Sequence, residues 1–138
     1  MKGAIWTGRI ISTLIILFML FDGIAKVVRF KPYVDGTVAA GYPDHLVVPL
    51  GIIALIPTIL YAIPRTSVLG AILLAAYWGG AVATHLRLGQ TAWVMPVMFG
   101  VLAWFALWLR EPRIRTLVPL RNPNANASPT DASAAARG

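Results

Sequence analysis

LVVPLGIIALIPTILYAIPRTSVLGAILLAAYWGGAVAT, residues 46–84, holds two apolar runs, Leu46 to Ile63 and Ser67 to Thr84, joined only by Pro64-Arg65-Thr66. A helix rises ~1.5 Å per residue, so each run covers most of the ~30 Å of a bilayer's hydrocarbon. So short a link makes the two helices antiparallel neighbours. Working outward, Ile5 to Arg29 is another such run before the pair, and Trp93 to Leu109 another after it. The chain reads as an all-α membrane protein, an antiparallel four-transmembrane-helix bundle with helices at about 5–29, 46–63, 67–84 and 93–109.

Composition agrees. Of 138 residues, 58% are hydrophobic and 12% charged, with a mean hydropathy of +0.73, where a water-soluble chain has about a quarter charged. The net charge is +7, yet the basic residues gather at the ends of the apolar runs and leave their interiors almost bare. That distribution is membrane topology, so the partner it implies is the lipid bilayer and not nucleic acid. The chain has no cysteine, which excludes thiolate catalysis, disulfide exchange and thiolate metal sites. Lys2 precedes the first run, but Arg9 interrupts it, Asp22 closes it and no small-x-small cleavage pattern follows, so the expectation is a retained helix.

With four spans, Lys2, Arg9, Arg65, Arg110, Arg113, Arg115 and Arg121 share one side, and Lys26, Arg29, Lys31 and Arg87 the other. Seven against four favours both termini in the cytoplasm. Residues 1–118 form the transmembrane domain. Beyond it the composition turns to Asn, Ala, Ser and Pro, with no packing to offset ordering entropy, so 119–138 is expected to be a disordered cytoplasmic tail. In the long first connection, Tyr33, Val34, Val38 and Ala39 are spaced for an amphipathic turn or two that caps the bundle mouth before Gly41-Tyr42-Pro43 breaks it.

Helices in lipid need small residues to approach one another. Ala71, Ala75, Gly79 and Ala83 recur at every fourth position of the third span, beside a parallel stripe of Ala76, Gly80 and Thr84. The expected partner is the second span, through Ala54, Thr58 and Ala62, and the same stripe offers a surface for a homo-oligomer. Pro57 and Pro96 lie inside spans, where each would free a carbonyl.

Chemistry is expected where polarity enters the membrane. Asp22, Lys26 and Arg29 fall at i, i+4 and i+7 on one face of the first helix, with Asp22 still inside the hydrocarbon and Lys26 its nearest partner. His85 and Arg87 close the third span on the same side, with Tyr77 and Trp78 below them. Asp22, Lys26, Tyr77, His85 and Arg87 make up a candidate polar pocket. The plain alternative is an intrahelical pair that sets helix depth, with ordinary packing aromatics. His45 and His85 stand at helix ends, a poor setting for haem, and no cluster of acids and histidines suggests a metal.

Several segments carry a family resemblance: Arg9; Phe21-Asp22-Gly23-Ile24-Ala25-Lys26; Gly41-Tyr42-Pro43; Tyr61-Ala62-Ile63-Pro64-Arg65-Thr66-Ser67-Val68-Leu69-Gly70-Ala71; and Gly79-Gly80-Ala81-Val82-Ala83-Thr84-His85-Leu86-Arg87. Over about residues 5 to 115 the chain resembles the DoxX-like family of small four-helix inner-membrane proteins, named from a subunit of an archaeal thiosulfate:quinone oxidoreductase. The resemblance marks Arg9, Asp22, Lys26, His85 and Arg87 as motif positions. It implies a non-catalytic or quinone-associated membrane subunit, or anchor, for an oxidoreductase partner protein. Lack of cysteine argues against persulfide chemistry within this chain alone. Two other classes stay open: a small transporter or channel using the outward polar pocket, and a membrane enzyme on a lipid-soluble substrate with Asp22 or His85 as general acid or base. On the subunit reading, the basic segment Arg110 to Arg115 is a candidate contact for an acidic partner or for anionic lipid.

Overall fold

The computed structural model describes residues 2–121 and 136–138. Each apolar run is a helix: α1 (Lys2–Val27), then, after a short α2 (Lys31–Ala39), α3 (Val47–Ala62), α4 (Ser67–Arg87) and α5 (Val94–Arg110), with one further turn, α6 (Pro112–Arg115). Single 3-10 turns lead into α3, α4 and α5, and with them the four long segments have 26, 19, 24 and 20 residues, each apolar enough to cross a membrane. The outward faces carry Leu, Ile, Val and Phe side chains that only lipid could cover without loss. The chain is a multi-pass membrane protein, with no strand among the described residues. Most of the expected tail, 119–138, lies outside the described residues.

Helix ends follow from local chemistry. α1 stops at Val27, two residues before the expected limit, because Arg29 turns left-handed at φ 58°. Phe30 N–H then reaches Ala25 O at 2.8 Å and Arg29 N–H reaches Lys26 O at 3.2 Å, a Schellman closure. Gly41 (φ 92°) closes α2 and Gly89 (φ 67°) closes α4 in the same way. Glycine adopts that conformation freely, whereas Arg29 needs support, which the Asp44 carboxylate supplies through contacts at 2.7 and 2.8 Å. α4 runs one turn beyond Thr84, so His85 and Arg87 belong to its last turn. Pro96 falls in the first turn of α5, where a missing N–H leaves nothing unpaired; only Pro57 stands in a helix interior.

The long helices form a closed ring in which α1 packs on α3 and α5, and α4 packs on the other sides of α3 and α5. Buried positions keep a 3-4 rhythm, the knobs-into-holes spacing of left-handed bundles. Val47, Gly51, Ala54, Thr58 and Tyr61 mark it on α3, and Ser67, Ala71, Leu74 and Trp78 on α4. On α1, Gly8, Ser12, Ile15 and Met19 carry it toward Asp22 and Lys26.

The expected α3–α4 pairing is present, but through a different face of α4. Ala71 is buried, whereas Ala75, Gly79, Gly80 and Ala83 are exposed, and a Cβ on Gly79 or Gly80 would meet nothing within 4 Å. In a helix small on several sides, spacing alone does not choose the packed face; the bulk of Leu74 and Trp78 does, because these fill the bundle centre. The close approaches occur elsewhere. A Cβ on Gly8 would stand 2.6 Å from Ala106 O, and one on Gly23 would stand 2.6 Å from the Leu55 side chain. Gly70 is pressed against the backbone of Leu60 and Tyr61.

At the end of the bundle carrying the N-terminus, fully buried Tyr61 donates to Ala103 O at 2.8 Å across the α3–α5 diagonal. Its oxygen can then only accept from Ser12 Oγ, at 3.1 Å. Arg110 lies over the Tyr61 ring, its guanidinium carbon 5.0 Å from the centroid. Arg115 folds back on the end of α5 and donates to Trp108 O at 3.0 Å and Leu109 O at 2.6 Å. Of the basic segment, Arg110 and Arg115 are thus turned inward, and Arg113 stays exposed.

Candidate functional site

α2 connects α1 to α3 and lies across the opposite end of the bundle. It is the amphipathic segment expected there, although the face it turns inward is Tyr33, Gly36, Thr37 and Ala40, while Val38 and Ala39 point outward. Under it is a cavity of about 490 Å³, within the range of small-molecule sites. α2 forms one wall, Ala76, Tyr77, Gly80, Ala81, Thr84 and His85 of α4 the other, and Lys26 and Leu50 enter from α1 and α3.

Lys26 supplies the cavity's charge. Asp22 lies one helical turn below, and Lys26 Nζ donates to its Oδ2 at 2.8 Å. The two side chains are 13% and 17% exposed, so the pair forms in a medium where either charge alone would be costly. Lys26 Nζ also donates to Tyr77 Oη at 2.9 Å, across the α1–α4 diagonal of the ring. An ammonium has three hydrogens, and these two bonds leave one. The Tyr77 oxygen accepts from Lys26, which leaves the phenol hydrogen as a second donor. Two donors on neighbouring atoms, backed by a carboxylate that balances the charge, therefore face a largely apolar space.

The rim is tied by two contacts between the end of the α2 segment and α4. Thr84 Oγ1 donates to Gly80 O at 2.9 Å, so the Tyr42 hydroxyl 2.7 Å away must donate to Thr84. Arg87 donates to Ala40 O at 3.0 Å and sits where a Cβ on Gly41 would collide with it. His85 Nδ1 lies 2.7 Å from Gln90 Oε1 and donates to it, since an amide oxygen can only accept.

Of the five residues singled out from the sequence, Lys26, Tyr77 and His85 line the cavity. Asp22 stands behind Lys26, and Arg87 braces the rim. Trp78 points away into the core, 4% exposed and stacked on Phe99 at 5.9 Å. Arg29 leaves the α1 face to pair with Asp44. Tyr33, Tyr42 and Thr84 are additional members of the site; Tyr33 in the first turn of α2 and Tyr42 just after the glycine that closes it were the sequence signal for two of them. Among the described residues no three His, Asp or Glu side chains lie together as metal ligands would.

The DoxX-like family model matches residues 10–106, which carry α1 from its third turn through most of α5 and the whole cavity. The chain belongs to the DoxX-like family. Comparison with curated proteins and with solved structures gives no match. The family assignment therefore covers the DoxX-like bundle and its cavity, and the roles of individual residues are argued from their geometry.

Proposed function

We propose that this DoxX-like protein is a non-catalytic membrane subunit of an oxidoreductase and that its cavity holds the head group of a quinone. The observation that carries the reading is the pairing of Lys26 with Tyr77: one free ammonium hydrogen and one free phenol hydrogen suit a ring with carbonyl oxygens, and the apolar walls suit the ring itself. A bound quinone would supply two-electron, two-proton redox capacity. The chain's part is to orient the ring by hydrogen bonds from Lys26 and Tyr77, balance charge through Asp22, and keep bulk water out beneath α2. Electrons would come from the partner subunit. The excess of basic residues at the other end supports an α2 end facing away from the cytoplasm, with the protein in the inner membrane.

Purification in mild detergent, with mass spectrometry of the bound small molecules and proteins, tests this. The expected result is retained quinone, lost in Lys26→Met, together with a redox-active partner protein. Protein that takes up no added quinone, or binds it equally well in Lys26→Met, would overturn the reading. Ion flux in liposomes would move the balance to a channel.

A further inference from the structure

Resting on that reading, we propose that the ligand is a long-tailed one that reaches the cavity sideways from the lipid, through a slot between α2 and α4, and leaves its tail in that slot. α2 rests on α1, on α3 and on the turn before α3, but no Cα of α2 lies within 8 Å of one in α4. Both helices nevertheless line the cavity, so no backbone contact closes the side wall between them. Tyr42–Thr84 and Arg87–Ala40 close that gap at one end only, at the rim. The lining that the two helices supply includes small residues, Gly36 on α2 and Ala76 and Gly80 on α4, and a Cβ built on either glycine meets nothing within 4 Å.

Depth decides what the slot opens onto. Gly80 is seven residues before the end of α4, ~10 Å along the axis, and so lies at hydrocarbon level. A space of about 490 Å³ takes a substituted ring but not a polyisoprenoid chain as well. The chain of a seated ligand has to leave through whichever wall lacks side chains, and that wall faces lipid. Gly79 supplies the comparison: it is equally unobstructed but is not part of the cavity lining.

The test compares Gly80→Leu with Gly79→Leu, at positions where an added Cβ meets nothing within 4 Å and where leucine is the better helix former. Binding of a benzoquinone with a long isoprenoid tail is measured against the same ring without a tail. Gly80→Leu should weaken the tailed compound roughly tenfold or more, the scale of a blocked apolar subsite. The tailless ring should lose distinctly less than the tailed one, and Gly79→Leu, outside the lining, should leave both compounds within about twofold. Equal loss of both compounds in Gly80→Leu, or no loss of the tailed one, would overturn the slot. Wild-type protein that binds neither ring overturns the quinone reading instead, and the slot is then decided by a nitroxide on Gly80→Cys, the sole thiol of the chain, in phospholipid vesicles. Collisions with oxygen should dominate there; dominance of a water-soluble nickel chelate would show a cavity open to water and overturn the slot.

Discussion

Gly23 of α1 and Gly51 of α3 meet backbone to backbone: a Cβ on Gly51 would fall 2.8 Å from Gly23 O and 2.9 Å from the Lys26 Cβ. Lipid gives two helices no water-driven reason to associate, so the gain comes from contact area, and contact area here depends on two absent side chains. The same approach sets where Lys26 stands relative to α4.

Gly51→Ala should therefore destabilise the bundle by about 1–3 kcal/mol, the usual range for overpacking. Gly79→Ala, with open space around it, should be neutral or mildly stabilising. Reversible unfolding of both variants in mixed micelles would check the contrast; equal effects would mean that α1 and α3 do not touch as described.

Asp22 and Lys26 should behave as a coupled pair. Asp22→Asn leaves an ammonium at membrane depth without its counter-charge, a loss bounded by the roughly 3 kcal/mol that insertion scales give for lysine at a helix centre, and smaller here because the pair lies toward the helix end. Asp22→Asn with Lys26→Met should recover most of the loss. A double-mutant cycle on unfolding free energies gives the coupling directly, and additive effects would contradict the ion pair.

Tyr61 joins three helices at the other end through one hydroxyl. Tyr61→Phe should cost about 1 kcal/mol, since membrane hydrogen bonds are worth little more than those in water. Tyr61→Ala should cost roughly 3–5 kcal/mol, because it also removes a fully buried ring and the surface beneath Arg110. Thermal unfolding in detergent separates these two sizes of effect.

The rim contacts should hold α2 in place. With Tyr42→Phe and Arg87→Ala combined, residues 31–40 lose both ties to α4. Hydrogen–deuterium exchange across α2 should then rise by about an order of magnitude, the opening free energy falling by the worth of one or two hydrogen bonds, while exchange in α3 stays unchanged. Unaltered exchange in α2 would place its anchorage on α1 and α3 alone.

The four spans were legible because each needs only length and apolarity, and both are written in the composition of the runs. Asp22 with Lys26 was legible for a similar reason: an i, i+4 spacing places two side chains together whatever the helix packs against. Lys26 with Tyr77 was not, since that contact depends on how α4 is rotated about its axis. Rotation is where the small-residue stripe misled. Ala75, Gly79 and Ala83 look like a packing face, yet the face that packs carries Ser67, Ala71, Leu74 and Trp78, and its signal is a 3-4 rhythm shared with the other helices rather than small size. The same rhythm, followed along α1 from Gly8 and Ser12, arrives at Asp22 and Lys26 and points them into the bundle, where the cost of an unpaired carboxylate in hydrocarbon also places Asp22. Arg29 illustrates another limit: a left-handed helix end at arginine has no sequence mark, and its support comes from Asp44, which only the fold brings near.

Whether the cavity holds a quinone is decided by a structure of the protein in a lipid nanodisc with added quinone. Ring density is expected under α2, with a carbonyl oxygen within hydrogen-bonding distance of Lys26 Nζ and of Tyr77 Oη and a tail passing between α2 and α4. A cavity filled by water or by the packed side chains of α2, with quinone absent or bound on another face, would contradict it.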